Sequence, residues 1–217
     1  MSERPAGLLA RGPWAPTDVT VSWSERPYEP DADVAAAADA AIDELGRRGS
    51  PTHDGLGARV ARYEQRPNGL ALELEPVRWA LRLCGDAVDS ISSLCVVRDA
   101  DGRWLAGRRA QWVASWAGRW ALGAGGAVEV GENPVDTLAR ELEEEWSVRP
   151  ERLSAEALLR IPSGLLLFVG IAHLPAGAEV TIDPEHDTHA WWPPSVEDWP
   201  QEADAPLRAM ATMLADR

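Results

Sequence analysis

Glu141, Glu144 and Glu145 recur at spacings that gather acids on one side of a helix, and Arg140 stands four residues before Glu144. At about 100° per residue the acids fall on an arc roughly 120° from Val135, Leu138, Ala139, Leu142 and Trp146. One face would pack inward and the other would carry carboxylates. For stability alone this is a poor arrangement. With Glu143 the acids repel at helical neighbour distances and crowd toward the C-terminal half, where the helix dipole disfavours anions. Arg140 alone is too little cation, whereas a divalent ion would balance them. Hard ions such as Mg²⁺ take oxygen ligands, typically one or two carboxylates with waters and substrate phosphates. Upstream, Gly125 and Gly126 would let a backbone carbonyl or a phosphate approach without a Cβ in the way. The plainer alternative is a tight turn followed by a solvated helix face.

The segment that must present these acids has a clear start. Asn133 can cap free amide N–H groups, Pro134 at the first helical position gives up only a donor without a partner, and Asp136 suits the first turn. From Gly126 the chain then reads Gly, five residues, Glu132, seven residues, Arg140-Glu141-Leu142, one residue, Glu144-Glu145, one residue, Ser147-Val148. This resembles the Nudix box, G-x5-E-x7-R-E-U-x-E-E-x-G-U with U a bulky aliphatic residue, at every prescribed position except the last Gly, which is Ser147. A left-handed residue commonly ends a helix, and Ser there costs about 1 kcal/mol relative to Gly.

The resemblance implies an α+β Nudix fold, a mixed β-sheet sandwiched between α-helices, over residues 89–217, preceded by a small α+β region over 1–88. It implies hydrolysis of a diphosphate linkage in a nucleoside diphosphate derivative by water attack on phosphorus. Mg²⁺, with Mn²⁺ as the alternative, would neutralise phosphate charge and lower the pKa of a bound water. Glu144 and Glu145 match the family's main metal ligands, with a carbonyl from Gly125 or Gly126 beside them. Glu141 matches a ligand or base, Arg140 the residue that holds the carboxylates, and Glu132 one that fixes the loop or joins the metal shell. Some relatives draw their base from a late loop, for which Glu185 and Asp187 are the candidates, a solvated acidic turn being the other reading.

Around this centre the chain alternates strand and turn signals. Ile91 to Arg98, the turn Asp99-Ala100-Asp101-Gly102 and Trp104 to Arg109 read as a hairpin, and Arg119 to Leu122 as a strand delivering the glycines. Arg109 and Arg119 are placed to meet phosphate, and Trp112 and Trp116 lie in the intervening loop, where an indole can stack on a base. Ordinary surface pairing and core packing are the competing readings.

Leu153 to Arg160 is helix or strand, Gly164 to His173 a central strand, and Ala205 to Ala215 a closing helix. His186 and His189 have a spacing open to a transition metal such as zinc, but read more simply as surface residues of a loop.

Upstream, Val19 to Trp23 reads as an edge strand and Ala32 to Arg48 as a helix. Ser50 to Gly55 is a turn cluster, Ala58 to Tyr63 with Leu70 to Leu74 a hairpin, and Pro76 to Leu83 a short helix. The order of an Asp-Gly turn, hairpin, short helix and box-bearing domain, seen in HDGLGARV and NGLALEL, is similar to Nudix hydrolases that split UDP-sugars. That likeness makes a UDP-sugar one alternative substrate; a nucleoside triphosphate to be sanitised and a ligand-binding regulatory role with little turnover are the others.

The composition sets bounds. The chain has 217 residues, 45% hydrophobic and 26% charged, enough for a sizeable core. A net charge of −14 argues against a nucleic-acid backbone binder, since counterion release needs clustered cations. All 21 basic residues are Arg, and Cys84 and Cys95 fit no metal spacing. With no secretory signal apparent and no membrane-length apolar run, the expectation is a cytoplasmic protein with a small-molecule nucleotide as partner, no nucleic acid, no membrane, and homodimerisation left open.

Overall fold

The computed structural model, which describes residues 6–49, 54–113 and 115–215, has eleven strands and three α-helices among them. In chain order they are β1 (Gly7–Trp14), β2 (Val19–Trp23), α1 (Ala32–Arg47), β3 (Leu56–Arg66), β4 (Gly69–Arg78), β5 (Ile91–Arg98), β6 (Trp104–Arg109), β7 (Trp120–Leu122), β8 (Ala124–Ala127), α2 (Pro134–Trp146), β9 (Arg152–Arg160), β10 (Leu166–His173), β11 (His186–Trp192) and α3 (Ala205–Ala215). The larger sheet has the order β1-β9-β10-β5-β6-β11, with β7 paired to β6 and β8 to β5; the smaller has the order β2-β4-β3. Strands and helices are thus mixed along the chain in an α+β architecture.

The chain divides into two compact units. The first comprises Met1–Leu94, Gly126–Leu138 and Ser154–Gly170. Here β2 runs parallel and β3 antiparallel to β4, the hairpin closing where Arg66 faces Gly69. Ala38 of α1 joins Val77, Ala80, Leu81 and Val88 in a core, because the Ala-rich helix allows close approach. Asn133 opens α2 as its cap: its side-chain oxygen accepts from the Val135 N–H at 3.1 Å.

The second unit comprises Cys95–Gly125, Ala139–Leu153 and Ile171–Arg217. Its β11 lies antiparallel to β6, with His186 opposite Arg109 and Trp192 opposite Trp104. Indoles stack along it: Trp104 meets Trp199 at 5.6 Å, Trp199 meets Trp192 at 4.9 Å, and Trp192 meets Trp120 at 5.5 Å.

Several sequence expectations change. The run Ala124–Ala127 is strand rather than turn, and the reversal sits one residue earlier, at Gly123. The segment 186–192 is a strand rather than a loop, since pairing with β6 supplies the hydrogen bonds that His-Asp-Thr-His lacks locally. β4 continues to Arg78, so the helical turn that follows is a 3₁₀ segment, Trp79–Ala87. β1 is a strand not expected from its sequence, paired with β9, and 152–160 is resolved as strand. Of the turn cluster, Ser50 to His53 lies outside the described residues.

Gly123 is the glycine this reversal requires. Its φ is 58°, and a Cβ there would run into the backbone carbonyl oxygen of Cys95. Gly123→Ala is expected to destabilise the protein by about 3 kcal/mol or more, read from chemical denaturation. A loss below about 1 kcal/mol would show that the turn relaxes freely.

Candidate active site

The inward face of α2 packs as its periodicity requires: Leu138, Leu142 and Trp146 are fully buried. Trp146 donates its indole N–H to the Gly123 carbonyl at 3.0 Å, tying the end of the helix to the turn before β8. Gly107 of β6 makes room for this packing. A Cβ there would lie 2.5 Å from the His186 ring and 2.9 Å from the Trp146 ring.

The acids then divide by position. Glu145 is buried, with its side chain 6% exposed. It accepts from the Gly125 N–H at 3.3 Å, and Arg109 Nη1 stands 3.9 Å away. Glu141 is also buried and accepts from Arg140 Nη1 at 2.7 Å. The same Arg140 nitrogen reaches Glu144 at 3.1 Å, so one guanidinium holds two carboxylates although Glu144 is largely exposed. Glu143 turns outward to Arg149 at 2.7 Å.

Burial dominates the electrostatics. It pushes Glu145 up to about 9, against the pull of Arg109 and the Gly125 N–H, with Glu141 and Glu185 adding to the rise. It pushes Glu141 up to about 7, against Arg140, with Glu144 and Glu185 again raising it. Two buried carboxyl groups on one helix therefore resist ionisation even with Arg109 and Arg140 facing them.

The chain leading into β11 completes the surroundings. The N–H groups of Thr181 and Asp183 donate to the carbonyls of Trp146 and Glu145 at 3.0 and 3.1 Å, occupying the open end of α2. The carboxylate of Asp183 meets His186 Nδ1 at 3.0 Å, while His186 Nε2 lies 3.8 Å from Glu145. Burial lowers the His186 pKa more than Asp183 raises it. The approach of His186 to Glu145 is therefore a contact of two neutral groups near pH 7 and not an ion pair, despite its distance.

Of the residues expected to act together, Arg109 reaches Glu185 at 2.9 Å as well as Glu145, and Arg140 separately holds Glu141 and Glu144, two groups linked through α2, which carries Glu141, Glu144 and Glu145. Asp187 departs from them. Neighbouring strand residues point to opposite faces, and Asp187 pairs with Arg108 at 3.6 Å. Arg119 is held by Asp204 and lies 4.7 Å from the Trp116 ring. Trp112 and Trp116 are exposed at 45% and 39%. Gly126 follows Gly125 in β8, and Glu132 accepts from the Thr137 hydroxyl at 2.8 Å and from the Glu129 N–H at 3.1 Å.

The expectation of surface histidines is corrected for His186, which is 5% exposed because its strand register carries it against Trp146, ring centroids 4.8 Å apart. Asp183 was missed by the sequence reading. Its only local signal is its place three residues before His186 in a Pro-containing turn.

Ser147 has φ 55°, the left-handed value that Gly adopts without penalty. Ser147→Gly is expected to raise stability by about 1 kcal/mol, a melting-temperature gain of about 2–4 °C by calorimetry. A fall would mean that the Ser hydroxyl supports the helix end.

Among the described residues, no group of three or more His, Cys, Asp and Glu side chains converges as a metal cage. Mg²⁺ does not need one, since one or two carboxylates suffice with waters and phosphate oxygens. Glu145, which accepts from the Gly125 N–H, and the exposed Glu144 next to it on α2 are hard oxygen donors, and burial still holds Glu141 and Glu145 above the usual carboxylate range despite their Arg neighbours, so added positive charge would be favoured there. The donor set fits such an ion.

The family described as the NUDIX domain matches residues 90–210. No curated protein matches the chain. Among solved structures, the MutT NUDIX hydrolase from Burkholderia pseudomallei is 25% identical, with 58% of this chain and 97% of that one covered and a TM-score of 0.48. The NUDIX domain of NrtR from Shewanella oneidensis, complexed with ADP ribose, is 18% identical over 59% of this chain and 87% of that one, TM-score 0.48. An Ap4A hydrolase from C. elegans is 17% identical over 58% and 95%, TM-score 0.47. Among the described residues, no helix is long and apolar enough to cross a membrane.

Proposed function

The chain belongs to the NUDIX family, whose domain it matches over more than half its length, and from that premise we propose a divalent-metal-dependent hydrolase that cleaves a diphosphate linkage in a nucleoside diphosphate derivative. The observation that carries this reading is the pair of buried carboxyl groups, Glu141 and Glu145, on one helix beside the Gly125 backbone. Buried acids without full compensation are costly, and they persist where charge is to be received.

Glu144, Glu145 and Glu141, with the Gly125–Gly126 backbone, would hold Mg²⁺ or Mn²⁺. When bound, the ion supplies Lewis acidity and charge neutralisation toward the diphosphate. The remaining work falls to the chain. Arg140 keeps Glu141 and Glu144 in one orientation. Arg109, half-buried against Glu145 and Glu185, would offer its guanidinium to a phosphate oxygen. Glu185, partly exposed beside it, would take the proton of the attacking water. Asp187, turned toward Arg108, is a poorer candidate. Trp112 and Trp116 offer faces for a base. Residues 89–217 form the catalytic domain and 1–88 an N-terminal region.

The test is a panel of nucleoside diphosphate derivatives, UDP-sugars and nucleoside triphosphates with Mg²⁺, scored by chromatography for the nucleoside monophosphate released, with wild type and Glu144→Gln. The variant is expected to fold and to lose about 100-fold in rate. Equal rates would remove the metal assignment. Tight binding with no turnover by wild type would favour a ligand-binding regulatory role.

A further inference from the structure

The loop between β6 and β7 is rooted in the candidate site. Arg109, which touches Glu145 and Glu185, also carries both backbone bonds that close the loop: its N–H donates to the Arg119 carbonyl at 2.8 Å, and its carbonyl accepts from Gly118 at 2.9 Å. The next residue, Ala110, donates to the Glu185 carbonyl at 2.7 Å. Whatever fixes this loop fixes Trp112 and Trp116 relative to the acids.

Trp116 has φ 61°, a conformation that a bulky side chain seldom adopts and that persists only where its surroundings impose it. Those surroundings are visible. The Arg119 N–H donates to the Trp116 carbonyl at 3.0 Å, and the Arg119 guanidinium lies 4.7 Å from the Trp116 ring centroid. The same guanidinium donates to the Asp204 carboxylate, whose other oxygen caps α3 by accepting from the Leu207 N–H at 3.1 Å. Aromatic ring, guanidinium and helix cap form one chain of contacts. The ion pair is half exposed and adds little to global stability, so its consequence is where the loop sits.

Resting on the hydrolase reading above for the location of the site, we propose that Arg119 is a positioning residue rather than a phosphate ligand: clamped between Asp204 and Trp116, it holds the exposed Trp loop as a platform for the nucleoside base. Phosphate recognition is left to Arg109, and base recognition depends on a latch anchored at the start of α3.

The experiment compares Arg119→Ala, Asp204→Ser and the double variant by calorimetric titration with ADP, GDP, UDP and CDP, and with inorganic pyrophosphate as a ligand without a base. Ser at 204 retains a helix cap but is too short to reach Arg119, which keeps the protein folded. Each single variant is expected to weaken the best-bound nucleoside diphosphate by about tenfold, the double variant no further, and pyrophosphate not at all. Loss of pyrophosphate binding in Arg119→Ala alone would make Arg119 a phosphate ligand and overturn the proposal. So would unchanged nucleotide affinity in both single variants, or no nucleoside diphosphate binding by wild type. Normal nucleotide binding without cleavage of any derivative would sink the hydrolase reading and leave the latch standing.

Discussion

Glu145→Gln is expected to abolish hydrolysis, by on the order of 1000-fold, while making the metal-free protein more stable. The two effects come from one fact, the burial of that carboxyl beside Arg109, Gly125 and His186. With its pKa pushed up to about 9, Glu145 keeps its proton in the folded metal-free protein at pH 7, whereas the unfolded chain ionises freely. That difference destabilises the fold by up to about 3 kcal/mol at pH 7. Gln has nearly the same shape and no charge to desolvate, so the penalty disappears. It also cannot become the anionic oxygen donor that a hard cation requires. Denaturation midpoints and initial rates on the best substrate of the panel read both effects. Retained activity would remove Glu145 from the metal site, and a loss of stability would show that its contact with Gly125 outweighs desolvation.

The second large effect is a pH dependence that Mg²⁺ reverses. Glu141 and Glu145 have folded pKa values of about 7 and about 9, both above their ordinary carboxylate values. The folded state therefore binds more protons than the unfolded state between roughly pH 4.5 and 9, and stability must fall as pH rises through that window. The facing groups modify the slope without changing its sign: Arg109 and Arg140 pull the pKa values down, and Glu144 and Glu185 push them up. His186 acts oppositely but only near and below its ordinary range. Its folded pKa is lowered, so stability gained as its protons leave the unfolded state is complete by about pH 7. Mg²⁺ binds the ionised carboxylates, so its stabilisation should be absent near pH 5 and reach several degrees at pH 8.5 with millimolar ion. Melting temperatures across this range, with Mg²⁺ and with chelator, decide it. A Mg²⁺ shift equal at both pH values, or none at either, would separate these acids from metal binding.

The residues that sequence spacing could assign are those whose relations are local. Helical geometry puts Leu138, Leu142 and Trp146 on one face and the acids on another, because side chains three and four apart are neighbours whatever the helix packs against. The same holds for the Asn133 cap, the short reach from Arg140 to Glu144, and the left-handed residue at Ser147. The bounds of β5, β6 and α3 were readable from propensity and turn chemistry for the same reason.

What the sequence alone determined, then, is the acidic helix, its glycine-rich approach and the family they specify. Tertiary structure decided which acids are buried, since Glu141 and Glu145 differ from Glu143 and Glu144 in what covers them and not in chemistry. It decided that His186 stacks on Trp146 and that Asp187 turns away, through the register of β11 on β6. It joined Arg119 to Asp204, 85 residues apart in sequence. Strand register and long-range ion pairs depend on which segments meet, and no local spacing encodes that meeting.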